Sequence, residues 1–386
     1  MYLFNPDHDL ALANRSESYT PPYSAVKMTE DLVLLPLWYA PNGSKIVAEG
    51  AENKAFLESM KTLFQINVTM ISFSEIARFP NEKIVPWGWN PALRKKLLNA
   101  YVSEQNTPSI DEIERLYDYS GRQHAVKMLR ELKRDNELFC GESHYFTLIN
   151  DVLRFLDSQS GNGVLKMPHS GSGKGLIWIL GEMTDKQIDW VRRVLRVQGG
   201  IVAEPVLPKV QDFAMEYKME NGCIRFIGYS LFRTSDSGAY LGNELMSDEE
   251  IEQKLLHYIP KSILHHINEL LKQKIPVYFP DYNGFLGIDM MICKTERGYQ
   301  VQPCVEINMR MNMGLVAHIF RERFVAQQAK GMLMVEYFNL KHKALAHHQQ
   351  MINNSPLIIE NGKIKKGYLA LTPVNEDTNF VAYTLL

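Results

Sequence analysis

The sequence predicts an α/β lobe followed by a two-part α+β body, and three patterns carry that prediction. Residues 1–115 alternate short apolar runs with helical stretches, the signature of a partly parallel sheet. Residues 116–200 hold helices around one strand, glycine turn, strand unit, and from residue 201 onward strands dominate. A chain of 386 residues is long for one core, so several lobes are expected.

In the first stretch the apolar runs Leu32 to Leu37, Lys45 to Ala48, Ile66 to Ile71 and Lys83 to Pro86 read as strands, with Ala51 to Leu63 and Asn90 to Val102 as helices. The first strand is Tyr2 to Phe4. It runs into the polar turn Asn5 to Leu10, whose Asn5, His8 and Asp9 are candidate ligand contacts because open α/β sheets bind ligands just past their strand ends. The same turn also reads as a plain Asx or proline turn. Ser103 to Asp111 is a polar linker. Ile113 to Lys133 has helical periodicity broken near Ser120 and Gly121, Phe146 to Leu156 is a further helix, and Thr184 to Arg196 is an amphipathic one. The later strands are Ile201 to Val206, Phe213 to Met219, Cys223 to Phe232, Phe285 to Cys293 and Tyr299 to Ile307, with one helical insertion from Asp248 to Gln273. The chain then reads as helical from Gly314 to about Tyr337, with a hairpin-like tail around Asn361 and Gly362.

Composition excludes several classes. Hydrophobic residues make up 45 % of the chain and charged residues 22 %, and a formal charge of -2 argues against a nucleic-acid surface. The most apolar early run, Leu32 to Ala40, is interrupted by Pro36 and too short for a bilayer, and no basic-then-apolar leader opens the chain. A cytoplasmic protein with no membrane partner is expected. Cys140, Cys223, Cys293 and Cys304 lack metal-site spacing and are expected as reduced thiols, while His265, His266, His347 and His348 read as solvated helix surface.

The loop from Lys166 to Gly175 is the most informative stretch. Gly171, Gly173 and Gly175 recur at every second position, so backbone can lie against an anion, and Lys166 and Lys174 bring positive charge to both ends. It is not a Walker A loop, because Gly175 follows Lys174 where a hydroxyl is required and Pro168 occupies the first glycine position. It departs from a kinase loop too, since Lys166 precedes the glycines. Taken alone, it fits either a phosphate cradle or a charged surface hairpin.

A second constellation lies more than a hundred residues later. Glu306 and Asn308, two apart on a strand, share a face, and Asp289 can reach that face from the neighbouring strand. Two carboxylates and an amide are hard oxygen ligands suited to magnesium, which keeps water and phosphate oxygens in its shell. Arg310, two residues further on, is placed to hold a phosphoryl group or acyl phosphate. Arg233, at a strand end before the polar segment up to Asn243, is a candidate grip for a substrate carboxylate or a γ-phosphate.

The order of these parts, over residues 115 to 325, resembles the ATP-grasp superfamily. The motifs that carry the resemblance are Lys166 before the loop His169, Ser170, Gly171, Ser172, Gly173, Lys174, Gly175, and the run Glu306 to Arg310, which matches Glu-x-Asn-x-Arg. The resemblance implies an N-terminal α/β lobe over 1–115, a small lobe carrying the loop over 116–200, and a large lobe with the magnesium site and a C-terminal tail over 201–386. It implies Lys166 and Arg122 on the phosphates, with Lys127 as the second candidate for the latter role. Glu204, Pro205, Val206 and Leu207 would form the linker against adenine, Asp212 would meet the ribose hydroxyls, and Asp289, Glu306 and Asn308 would hold Mg2+. This chain departs from the family pattern where Ser120, Gly121 and Arg122 replace an Asp-Lys pair, and where Met167 and His169 flank Pro168.

The activity implied is ATP-dependent ligation, with a substrate carboxylate activated as an acyl phosphate and captured by an amine or thiol. Arg310, Lys166 and Arg233 are the expected catalytic contacts. A small-molecule kinase and a non-catalytic ATP-binding protein are the alternatives.

Overall fold

A computed structural model describes residues 1–171, 175–235 and 238–386. The chain forms two units that do not follow chain order. The first is built from Met1–Glu114, Leu241–Ser247 and Arg310–Leu386, the second from Arg115–Tyr240 and Asp248–Met309.

In the first unit the strands Tyr2–Leu3, Lys45–Val47, Thr69–Ile71 and Val85–Pro86 form one wholly parallel sheet. Tyr2 is paired with Ile46 on one side and Val85 on the other. Helix Ala51–Phe64 supplies the crossover from the second strand to the third, and helix Pro91–Asn99 follows the fourth, capped by Asn90, which accepts from Leu93 N–H at 2.9 Å. The run Leu32 to Leu37 is not a strand. Leu35–Trp38 is a short 3-10 helix in which Leu34, Leu35, Leu37 and Trp38 are wholly buried. Pro36 has no N–H for a ladder, and burial on every side removes the alternation that a half-buried strand needs. Trp38 packs edge-on against Phe64, Phe320 and Phe324 and donates its indole N–H to Leu371 O at 2.6 Å.

An antiparallel sheet completes this unit: Tyr240–Leu245, Gly331–Tyr337, Phe380–Leu385 and Tyr368–Ala370, each paired with the next. The expected helix to Tyr337 therefore ends early. Helix Met313–Phe324, capped by Asn312, gives way to strand Gly331–Tyr337, whose residues pair on both edges. The tail hairpin is as expected. Asn361 and Gly362 take φ of 52° and 72° between Ile358–Glu360 and Lys363–Lys366, the left-handed pair that a two-residue hairpin turn requires.

The second unit carries two antiparallel sheets. One orders His144–Phe146, Ile201–Glu204, Asn162–Lys166 and Leu176–Leu180. Helix Asp185–Gln198 covers it, opened by a Thr184–Gln187 capping box and closed by Gly199 at φ 76°, with Val191 and Val194 buried against Leu165, Ile179 and Ile201. The other orders Gly298–Asn308, Gly284–Thr295, Lys209–Glu220 and Cys223–Thr234. The expected break near Gly121 separates helices Ile110–Tyr119 and Gln123–Leu132. The single insertion expected after Asp248 is two helices, Asp248–Leu255 and Lys261–Tyr278, because Pro260 ends the first path and starts the second.

Candidate functional site

Lys166 ends its strand opposite Val202, and Glu204 lies opposite Val164, so the two side chains are diagonal neighbours on one face. Lys166 Nζ donates to Glu204 Oε2 at 2.7 Å, with only 7 % and 6 % of the residues exposed. Ser143 Oγ donates to the other carboxylate oxygen at 2.9 Å. Lys166 is thus anchored by a satisfied buried pair.

Arg122 begins helix Gln123–Leu132 and is 6 % exposed. Its backbone N–H donates to Pro168 O at 3.1 Å, and its guanidinium reaches Met167 O at 2.5 Å, Ser170 Oγ at 2.7 Å and Glu306 Oε1 at 2.7 Å. The arginine therefore clamps the start of the glycine loop to the Gly298–Asn308 strand, while its buried Nε–H has no partner. Gly175 closes the loop. Met167 N–H donates to Gly175 O at 2.8 Å, and a Cβ on Gly175 would stand 2.2 Å from Ser170 Oγ. Gly171 precedes the three loop residues Ser172, Gly173 and Lys174, which lie outside the described residues. His169 is buried with its ring stacked on Tyr117 at 4.1 Å and its peptide bracketed by the Gln198 amide at 2.9 and 3.2 Å.

Past Glu204, Pro205 and Leu207 are half-buried and Val206 is exposed, leaving a short extended segment before strand Lys209–Glu220. Asp212 Oδ2 accepts from Lys209 Nζ at 2.5 Å and Thr234 Oγ1 at 2.9 Å.

Register fixes the second half of the site. Glu306 is directly opposite Asp289, which is opposite Ala214; Asn308 is opposite Gly287, which is opposite Glu216; Met291 is opposite Asp212. Direct partners share a face, so Asp212, Glu216, Asp289, Glu306 and Asn308 all belong to one face of the sheet. Asn308 Nδ2 donates to Asp289 Oδ2 at 3.1 Å. Beneath them Cys304 is 1 % exposed, and burial, followed by the charge of Asp289, pushes its thiol far above the usual range. It stays protonated and inert. Among the described residues no three His, Cys, Asp or Glu side chains converge as a metal centre, and the part of the face at Asp289, Glu306 and Asn308 offers two carboxylates with one amide. That donor set fits Mg2+, which takes few protein ligands and hard oxygens.

Glu216 escaped the sequence reading. It is 1 % exposed and accepts from Ser230 Oγ at 2.9 Å. Its signal was an acid directly among apolar neighbours in the run Phe213 to Tyr217. Arg233 is exposed, and because Phe232 faces Asp212, strand alternation turns Arg233 to the opposite face.

In the first unit, Arg310 grips Asp9 through two 2.8 Å bonds, Nε to Oδ1 and Nη2 to Oδ2. His8 beside it is 1 % exposed with an unpartnered Nδ1, and burial holds its pKa down at about 4 against the pull of Asp9. Asn5 Nδ2 donates to Gly88 O at 2.8 Å, and a Cβ on Gly88 would stand 2.4 Å from the His8 ring. The Asn5 to Asp9 turn thus fastens the Gly88 loop and Arg310.

Neither a family model nor a curated protein matches this sequence. Solved structures do. Biotin carboxylase from Campylobacter jejuni, in complex with β,γ-ATP, superposes with a TM-score of 0.52 over 100 % of this chain and 86 % of its own, at 10 % identity. N5-carboxyaminoimidazole synthase from Aspergillus clavatus, with ADP and an aminoimidazole ribonucleotide, gives 0.48 over 90 % and 94 % at 11 % identity. The biotin carboxylase domain of Hydrogenobacter thermophilus 2-oxoglutarate carboxylase gives 0.49 at 11 % identity, over 89 % of this chain and 85 % of that one. No helix among the described residues is long and apolar enough to cross a membrane. The superposition on the Campylobacter enzyme spans the whole chain, and the fold is the ATP-grasp fold with its N-terminal α/β lobe.

Proposed function

We propose that this protein is an ATP-dependent ligase that activates a small-molecule or peptide carboxylate as an acyl phosphate, for capture by an amine or thiol. The observation that carries the reading is the convergence within one unit of Lys166, Arg122 and the glycine loop with a sheet face bearing Asp212, Asp289, Glu306 and Asn308. In chain order the reading assigns 1–115 to the N-terminal lobe, 116–200 to the small lobe and 201–386 to the large lobe and tail.

Lys166 and Arg122 neutralise triphosphate charge, and the glycine loop's amides are assigned to the phosphates as donors. Asp212 accepts from the ribose hydroxyls, and the segment Pro205 to Leu207 lines the base. Asp289, Glu306 and Asn308 would hold Mg2+, which would supply charge neutralisation. Glu204 adds a role that its place in the linker did not suggest: it holds the Lys166 ammonium in place. Arg310, already oriented by Asp9, presents a pre-set guanidinium for the acyl phosphate. Each cation is paired to a carboxylate, so the residues exchange or share partners on binding and no new charge is buried unpaired.

Phosphate release from ATP, measured across a set of acids and amines, tests the reading. Release that requires both a carboxylate and an amine or thiol supports it. ADP formation with an alcohol alone would make the protein a kinase, and nucleotide binding without release would make it a binding module.

A further inference from the structure

The first unit contains a cavity of about 810 Å³ that none of the nucleotide chemistry uses. It sits at the carboxyl edge of the parallel sheet. Phe4 and Asn5 follow the first strand, Ala48 and Glu49 the second and Phe73 the third, while Asn90 follows the fourth. The order of that sheet places the Tyr2–Leu3 strand between Lys45–Val47 and Val85–Pro86, so the chain leaves the first strand on one side and returns to it on the other. Such a reversal opens a crevice outside the strand ends. The volume lies in the range of small-molecule sites.

The lining is apolar in body and acidic in balance. Val33, Val47, Phe73 and Leu93 supply apolar wall. Asp7, Glu17, Glu30 and Glu49 stand against Lys95 and Lys96, four carboxylates to two ammonium groups. Both lysines already have partners on the same lining: Lys95 pairs with Glu17 at 3.4 Å, and Lys96 lies 4.5 Å over the Phe73 ring. Glu49 accepts from Phe73 N–H at 2.9 Å. Asp7 is different. It precedes helix His8–Asn14 without capping it through its side chain, and no described residue forms an ion pair with it. Burial raises its pKa above the usual carboxylate range, more than its own backbone N–H and the charge of Lys96 lower it. On the same lining the Tyr19 hydroxyl is buried with no hydrogen-bond partner, and burial together with the Asp7 charge pushes its pKa up to about 12. A carboxylate outside any ion pair and a hydroxyl without a partner, on an apolar wall with an excess of acids, form an incomplete set.

We propose that this cavity binds a small organic cation, a protonated amine on an apolar body, with its ammonium on the Asp7 carboxylate and its body against Val33, Val47 and Phe73. The site stands independently of the nucleotide reading, because every residue in it belongs to the first unit.

Calorimetric titration of the full-length protein with 2-phenylethylamine tests it, with 2-phenylethanol and 3-phenylpropanoate as neutral and anionic probes of similar shape. The amine should bind about fivefold or more tighter than either control. Asp7→Asn should reduce it to the level of the alcohol, since asparagine suits the same helix-start backbone and removes only the charge. Ala92→Trp, which fills the cavity from the Pro91–Asn99 helix, should abolish binding of the amine while leaving nucleotide affinity unchanged. Equal binding of the three probes, amine binding that survives both substitutions, or no binding of the amine at all would each overturn the proposal.

Discussion

Glu306 is the residue on which the two halves of the candidate site meet, because one of its oxygens already accepts from Arg122 at 2.7 Å. Glu306→Gln keeps the shape and removes the charge, so on the proposed function ATP turnover should fall to background while far-UV circular dichroism is unchanged; wild-type rates would remove Glu306 from the proposed metal set. Glu204 makes a different kind of prediction. Its carboxylate is the counterion of a buried lysine, and Glu204→Gln should destabilise the protein by about 3 kcal/mol and weaken nucleotide binding through Lys166. Denaturant midpoints and nucleotide titration check the two effects, and an unchanged midpoint would contradict the pairing. His8 carries a pH signature. Folded, it resists protonation down to about 4, whereas the unfolded chain takes the proton near the ordinary value of 6.5. The unfolded state therefore binds more protons between those values, and stability falls as pH drops through that window, by about 3 kcal/mol at most. His8→Asn should flatten the slope of unfolding free energy against pH from 4 to 6.5, and parallel slopes would refute the assignment.

At the scale of elements, the glycine loop is defined by its ends. Gly175 has no room for a side chain beside Ser170, which in turn accepts from Arg122. Gly175→Ala should displace the Ser170 hydroxyl, loosen the Arg122 clamp and lower nucleotide affinity by roughly tenfold, the effect of losing one charged hydrogen bond. Isothermal titration with a nucleotide measures it, and unaltered affinity would mean that the clamp plays no part in binding. The strands of this half of the chain were legible because each is a long apolar run bounded by polar or turn residues; Phe285 to Cys293 was read within two residues of Gly284–Thr295. Register was legible too, since the spacing of Glu306 and Asn308 puts them on one face in any strand. The short buried elements were not. Leu32 to Leu37 is apolar on all sides, so periodicity had nothing to report, and Gly331–Tyr337 followed a helix without a proline or glycine pair to mark the change. The partners of Arg122 lie 45, 48 and 184 residues away, and no local pattern encodes them.

At the scale of the molecule, Trp38 joins segments that the sequence holds far apart. Its ring meets Phe320 and Phe324 and its indole N–H meets Leu371 O, 333 residues along the chain. Trp38→Ala would open a cavity and orphan a carbonyl, at a cost of about 4 kcal/mol. A calorimetric scan should show the unfolding transition several degrees lower, and an unshifted transition would place the core of this unit elsewhere. The division of the chain into units was the least legible property, because the late segments Leu241–Ser247 and Arg310–Leu386 carry no mark of belonging with residues 1 to 114. That arrangement has a consequence for synthesis. The parallel sheet leaves the ribosome before the second unit's segments, yet the residues that cover Trp38 and the strand Phe380–Leu385 leave it after them. The second unit's segments lie between them, and they can close while the first is still waiting. The first unit is therefore finished after the second, and its apolar surface stays open until Arg310–Leu386 has been made.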